Sequence, residues 1–212
     1  MFGAIAALFA VYFFRRRPQP ATPATAAPSA DPAGFAEAAA VLRLLGHDVG
    51  AEQLASAVAK GKPASDFLYD HIYDVPALVA IDWRSAPTEV LEYVARAGKP
   101  LGWTIEAISE DEDGWAPFTL VRDGVRQSLR ARLNGGNSGD DRARFMSDLA
   151  ARIGPGVAIV RVALYDGSDS EGFLVLDDAR LAALRAAAGA HFATWFRALD
   201  PTGESLILPA KG

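Results

Sequence analysis

The strongest constraint on the fold is the stretch FTLVRDGVRQSLRARL at residues 118–133. Its two halves read as strands around Asp123–Gly124, a dipeptide that favours the tight turn of a β-hairpin. A hairpin pairs its two strands antiparallel, so part of the fold must be an antiparallel sheet. Because helical patterns surround the hairpin, we predict the α+β class, with helices packed on a mixed or antiparallel sheet.

Helical and strand patterns alternate along the rest of the chain. Asp31–Pro32 is typical of a helix start, and apolar residues recur at helical spacing up to Gly46. Two more short helices complete a small helical lobe over residues 31–74, followed by an α+β domain over 75–212. In that domain the predicted strands are 76–83, 101–108, 156–165 and 173–176, and the predicted helices are 85–98, 140–154 and 177–189.

The end of the chain predicts a second hairpin and an internal duplication. HFATWFRAL (191–199) and ESLILPA (204–210) read as two strands joined by turn residues. GKPLGWTIEAI (98–108) also aligns with GAHFATWFRAL (189–199), and a strand and an amphipathic helix precede both. A duplicated β-α-β-β unit, with repeats over 75–133 and 156–210, would explain this. The alternative is that any junction of helix, glycine and strand looks alike.

The N-terminus has an apolar run, MFGAIAALFAVYFF, followed by three arginines. A cleaved signal carries its positive charge before the apolar run, whereas arginines after it hold the flank in the cytoplasm. We therefore predict a single-pass membrane anchor over 1–17, flanked by Arg15, Arg16 and Arg17, although fourteen helical residues span only about 21 Å. The proline-rich stretch 18–30 predicts an extended linker. The alternatives are a cleaved leader on an exported domain and a soluble helix.

Composition limits the chemistry and the partners. The chain has no cysteine, which excludes disulfides, thiolate metal sites and a cysteine nucleophile. Outside the leader, 18 basic residues stand against 26 acidic ones, a net charge of −8. An acidic body argues against bulk binding of nucleic acid, which needs a basic surface. We predict no cofactor and no metal site, and the oligomeric state stays open.

A row of arginines is the candidate binding feature. On the second strand of the hairpin, alternate positions are basic, so these side chains share one face. Such a row is typical of a site for phosphate, anionic headgroups or an acidic protein, and also of an ordinary solvated sheet face balanced by acids. The candidate residues are Arg122, Arg126, Arg130, Arg132, Arg142 and Arg144.

The weaker catalytic candidates are Asp82, Glu106 and His71. Asp82 and Glu106 lie at or near strand ends, and two acidic loops, SEDEDG (109–114) and DGSDSEG (166–172), could supply further oxygen ligands to a divalent ion. His71 stands among acids in YDHIYD. However, no motif of a nucleophile with its base, a zinc site or a phosphate loop is complete.

These observations favour a non-enzymatic domain that is tethered to a bacterial-type membrane and binds another protein in the cytoplasm. One alternative is a metal-dependent hydrolase or nuclease that uses the clustered carboxylates. The other is an exported, soluble binding domain released by leader cleavage.

Overall fold

The structure is a computed structural model that describes residues 31–82, 84–111, 113–133, 139–199 and 204–210. The predicted anchor and linker, residues 1–30, lie outside the described residues, as does most of the loop NGGNSG (134–139). Within the described ranges, no helix combines the length and the apolar character needed to cross a bilayer.

The described helices and strands confirm the α+β class. The α-helices are α1 (Pro32–Leu44), α2 (Ala51–Ala59), α3 (Ala64–Ile72), α4 (Pro87–Gly98), α5 (Gly139–Ile153), α6 (Asp178–Ala188) and α7 (Phe192–Trp195). The strands are β1 (Leu78–Asp82), β2 (Trp103–Glu106), β3 (Ala116–Arg122), β4 (Val125–Ala131), β5 (Val157–Val162), β6 (Ser170–Asp177), β7 (Phe196–Ala198) and β8 (Ile207–Pro209).

Helix α1 begins and ends where the sequence predicts. The Asp31 side chain accepts a hydrogen bond from the Gly34 N–H at 3.0 Å, which caps the first turn beside Pro32. After the last turn, Gly46 adopts φ +91°, a left-handed conformation that suits glycine. The buried face of α1 packs on α3 and α6.

The first sheet, sheet A, has the strand order β1-β6-β5-β7 and is covered on both faces. On one face, Leu174 and Leu176 of β6 pack with α1, α3 and α6 in a core that we call the lobe core. On the other face, Phe173 and Val175 join a second core with α4 and α5, which we call the inter-sheet core. Six consecutive residues in the middle of β6 are consequently buried.

The second sheet, sheet B, has the order β2-β3-β4-β8 and is covered on one face. Its inner face contributes Phe118, Leu120 and Leu129 to the inter-sheet core. The predicted hairpin is confirmed as β3 and β4, and both turn residues, Asp123 and Gly124, have positive φ. The outer face carries half-buried or exposed residues such as Thr119 and Ser128. All strand pairs in both described sheets are antiparallel.

The second predicted hairpin is wrong. Strand β7 pairs with β5 in sheet A, whereas β8 pairs with β4 in sheet B. The physical reason is that the two strands bury their apolar residues in different cores, Phe196 in the lobe core and Ile207 in the inter-sheet core. Much of HFATWFRAL is also helical, because α7 covers Phe192–Trp195.

The segments proposed as repeats have different topologies. In the first, α4 leads from β1 in sheet A to β2 in sheet B. In the second, α6 leads from β6 to β7, and both strands belong to sheet A. The order strand, helix, strand, strand thus occurs in both segments, but its strands are distributed differently between the two sheets.

Candidate functional site

Two arginines on the outer face of sheet B stack on one tryptophan. The guanidinium carbons of Arg130 and Arg132 lie over the Trp115 ring, 4.4 and 4.9 Å from its centroid. Trp115 is positioned by the turn before β3, where its backbone N–H donates to the Asp111 carboxylate at 2.8 Å. We call Trp115, Arg130 and Arg132 the Trp115 cluster.

The two arginines of this cluster make no ion pair with the described residues, although the Asp111 carboxylate lies at the same turn as Trp115. Neither Arg130 nor Arg132 has a described carboxylate at ion-pair distance, whereas the neighbouring Arg126 pairs with Glu106 at 2.9 Å. The Nε atoms of both cluster arginines are buried and have no hydrogen-bond partner among the described residues. Stacked guanidinium groups keep their outward N–H groups for an anion, and the planar fork fits a carboxylate or a phosphate.

The other arginines of the predicted row are placed differently. Arg122 shares the strand parity of Phe118 and Leu120, and donates to the carbonyls of Ile153 and Pro155 at 2.7 and 2.6 Å. It therefore caps the end of α5 instead of facing the outer surface. Arg144 pairs with Asp141 at 3.3 Å and is largely buried.

The remaining candidate, Arg142, is half-buried on α5. The structure thus brings together three of the six predicted arginines on the outer face of sheet B, namely Arg126, Arg130 and Arg132.

The carboxylates proposed for metal-dependent hydrolysis lie apart. Asp82 ends β1 in sheet A and accepts a hydrogen bond from the Arg84 N–H at 2.8 Å. Glu106 ends β2 in sheet B and pairs with Arg126. In the first acidic loop, Asp111 accepts hydrogen bonds from two backbone N–H groups of its own turn.

The second acidic loop belongs to an ion-pair network at the end of sheet A. Asp166 pairs with Arg161 at 3.1 Å and with Arg197 at 2.7 Å, and Arg161 also pairs with the buried Glu171 at 3.4 Å. Buried carboxylates in proteins are normally paired in this way. Asp166 and Glu171 therefore serve the fold. Asp82 lies opposite Ser170 of this loop in the pairing of β1 with β6, but it takes no part in these ion pairs, and Glu106 lies in sheet B.

His71 has neighbours that sequence reasoning missed. The His47 ring lies 5.5 Å from the His71 ring, centroid to centroid, and His47 Nε2 is 3.9 Å from a carboxylate oxygen of Asp74. The two histidines come together because the loop after α1 meets the end of α3. Since they are distant in the sequence and lack the paired spacing of a metal motif, no local signal could have revealed this cluster.

The third histidine is held elsewhere by acids. His191 Nδ1 lies 2.6 Å from Glu37, and its Nε2 lies 3.4 Å from Asp31. Its ring stacks on Trp195, 4.8 Å between centroids. These contacts tie the segment after α6 to α1, which is a structural role.

The described surface includes a cleft and a cavity. A shallow cleft of about 370 Å³ runs between α2 and α3 and is bordered by His71, Phe67 and Lys60. A smaller cavity of about 220 Å³ lies where α1 and α4 end, with mostly apolar walls and Arg180 at its side. The Trp115 cluster borders neither of them.

Tyr69 and Tyr73, in and directly after α3, pack against Tyr165 in the turn after β5. Burial raises the pKa of Tyr165 far above its ordinary value, and a hydrogen bond to Tyr73 raises the pKa of Tyr69. Phenols with raised pKa values stay protonated at neutral pH and make poor general bases. The ring contacts of 5.2 to 5.5 Å among the three indicate a packing role.

Comparison of the chain with protein-family models, with curated proteins and with solved structures finds no match in any of the three. The function proposed for the protein consequently rests on its own geometry. In that geometry, the Trp115 cluster brings two arginines together on one ring without an ion pair to a described carboxylate.

Proposed function

We propose that the protein is a non-enzymatic binding domain, tethered to a membrane by its N-terminal segment, with its body in the cytoplasm. We propose further that the outer face of sheet B binds an acidic segment of a partner protein. The observation that carries this proposal is the Trp115 cluster, in which two arginines are stacked on one ring and lack a described carboxylate partner.

Stacking supports binding because it orders the arginine side chains in advance. A free arginine loses rotamer entropy when it binds, and a guanidinium already held over an indole ring loses less. A carboxylate that approaches the two arginines can accept paired hydrogen bonds from each. Arg126 lies on the same face, so a second carboxylate of the partner can compete with Glu106 for it.

The charge of the whole body favours a protein partner over a lipid surface or nucleic acid. A net charge of −8 outside the leader repels an anionic bilayer and a phosphate backbone, each of which acts over a wide area. A short acidic peptide contacts only the cluster and avoids most of that repulsion. In the proposed tether, a proline-rich segment of this length would span about 40 Å at ~3.1 Å per residue, enough to hold the body away from the bilayer.

The binding proposal can be tested with a fluorescent glutamate-rich peptide and the full chain in detergent micelles. We expect saturable binding, measured by anisotropy, that weakens at least about tenfold when Arg130→Gln and Arg132→Gln are combined. The matched control is Arg180→Gln with Arg185→Gln on α6, which removes the same charge and should change the affinity less than twofold.

Equal losses in the two double variants would mean that net charge, and not the cluster, attracts the peptide, and would contradict the proposal. Binding to anionic lipid vesicles through the same arginines, without peptide binding, would also contradict it and indicate a lipid ligand. The peptide and the vesicles should therefore be tested side by side.

The tether requires its own experiment, which is fractionation of cells that express the full chain, with intact mass and protease access from each side. We expect the full-length mass in the membrane fraction and cleavage of the body only from the cytoplasmic side. A shortened soluble chain that starts near residues 28–31 outside the cytoplasm would contradict the tether and favour the exported alternative.

A further inference from the structure

We propose that His47, His71 and Asp74 form a binding site for a first-row divalent transition metal ion of the Zn²⁺ class. One ligand atom from each residue lies within 4.8 Å of the others. Two imidazoles and one carboxylate favour Zn²⁺, Ni²⁺, Co²⁺ or Cu²⁺ over Mg²⁺ and Ca²⁺, which prefer sites made of oxygen ligands.

The distances between the possible ligand atoms are close to those in a site that holds a metal ion. Two ligands at about 2.0–2.1 Å from a tetrahedral ion lie about 3.3 Å apart, so the present separation closes with movements on the order of 1 Å. The two imidazole rings are 5.5 Å apart and inclined by 29°, an arrangement in which both can present a nitrogen to one ion. The Asp74 side chain is 66% exposed and can rotate towards them.

The backbone holds both histidines in place before any ion binds. His47 follows Gly46 and donates its backbone N–H to the Leu42 carbonyl at 2.9 Å, which fixes the loop at the end of α1. His71 stands in the last turn of α3, where its ring packs edge-on against Phe67 at 4.8 Å between centroids. Metal binding therefore requires little ordering beyond the Asp74 side chain.

The site has two consequences for the lobe. An ion would cross-link the loop after α1 to the end of α3, and it would stabilise the folded state in proportion to its concentration. Three protein ligands also leave one coordination position for water, as in open zinc sites. Solvent can reach the site, because the Asp74 side chain is 66% exposed.

The test uses the full chain without an affinity tag, stripped of metal with a chelator and kept in detergent micelles. We expect one equivalent of Zn²⁺ to bind in competition with a chromophoric chelator, and Co²⁺ to give the visible absorption of a four-coordinate site. Mg²⁺ and Ca²⁺ should not compete. The single variants His47→Gln, His71→Gln and Asp74→Asn should each weaken Zn²⁺ binding at least about tenfold.

The chain offers matched controls. His191→Gln removes the remaining histidine, and Asp70→Asn changes an acid on α3 that pairs with Lys62 instead. Both controls should bind Zn²⁺ like the unchanged chain. Unchanged stoichiometry and affinity in the three site variants, or loss of binding in His191→Gln, would overturn the proposal.

Circular dichroism of each variant shows whether it is folded, so a loss of Zn²⁺ binding can be distinguished from a loss of folding. The largely exposed Asp74 tolerates replacement even if a histidine variant fails to fold. Absence of Zn²⁺ binding to the folded chain at millimolar concentration would also refute the site. The acidic-peptide experiment is independent of this one, since Asp74→Asn leaves the Trp115 cluster intact.

Discussion

The two sheets of this protein have the same number of strands and the same antiparallel pairing, but they differ in what covers them. Sheet A lies between the lobe core and the inter-sheet core, and its central strand β6 is apolar on both faces. Sheet B packs one face against the inter-sheet core, and its other face carries Thr119, Ser128 and Arg130. The difference indicates that sheet A contributes mainly to the stability of the fold, whereas sheet B also presents an outer face to solvent.

Burial on both faces leaves little room for change in sheet A. A side chain there is surrounded by packed atoms, so its removal leaves a cavity that neighbours fill only in part. On the outer face of sheet B, a replacement changes contacts with solvent and, in our proposal, with a partner, but not with the core. We therefore expect replacements in sheet A to lower the free energy of unfolding most, and replacements on the outer face of sheet B to lower it least.

The largest effect is expected in the middle of β6. Phe173→Ala removes a fully buried ring from the inter-sheet core and should lower the free energy of unfolding by about 3–5 kcal/mol. Val121→Ala, on the outer face of sheet B, is the control and should cost less than about 1 kcal/mol. Urea denaturation of both variants measures the difference, and equal costs would contradict the contrast between the sheets.

A second prediction concerns the other face of sheet A. A methyl group on Gly172 would lie 2.6 Å from the ring of Tyr165, so Gly172→Ala forces the buried tyrosine to move. We expect a loss of about 1–3 kcal/mol, the usual cost of overpacking. Gly50→Ala is the control, since the nearest atom there, an oxygen of Gln53, is 3.7 Å away. A neutral Gly172→Ala variant would show that the lobe core is loosely packed.

A third prediction concerns the inner face of sheet B, where an arginine contributes to stability. Arg122 on the inner face donates two hydrogen bonds to carbonyls at the end of α5, and Arg122→Gln should cost about 1.5–3 kcal/mol. Thermal or urea unfolding measures the cost. A value near zero would mean that Arg122 does not hold α5 against the sheet.

The smallest effect on stability is expected for the Trp115 cluster. Arg130→Gln should change the free energy of unfolding by less than about 1 kcal/mol, because a partly exposed cation–π contact contributes little. The same variant should weaken peptide binding. A large loss of stability would instead assign Arg130 to the fold and remove the reason to place a ligand on this face.

Local signals in the sequence predicted the hairpin β3–β4 and most helix boundaries, because turn dipeptides, caps and periodicity act over a few residues. The partners of β7 and β8 could not be predicted this way, since each strand pairs where its apolar residues find a core. The parity of Arg122 with Phe118 and Leu120 was visible in the sequence and already indicated an inward side chain. The contact of His47 with His71 exists only after α1 and α3 have packed.

The most direct test of the central claim is site-specific photo-crosslinking of the full chain in the cells that produce it. A photoreactive residue at Ser128, exposed on the outer face of sheet B, is compared with one at Ala55, exposed on α2. We expect a discrete protein adduct from position 128, none from position 55, and loss of the adduct when Arg130→Gln and Arg132→Gln are added. An adduct that survives those two replacements, or no adduct at position 128, would contradict the claim.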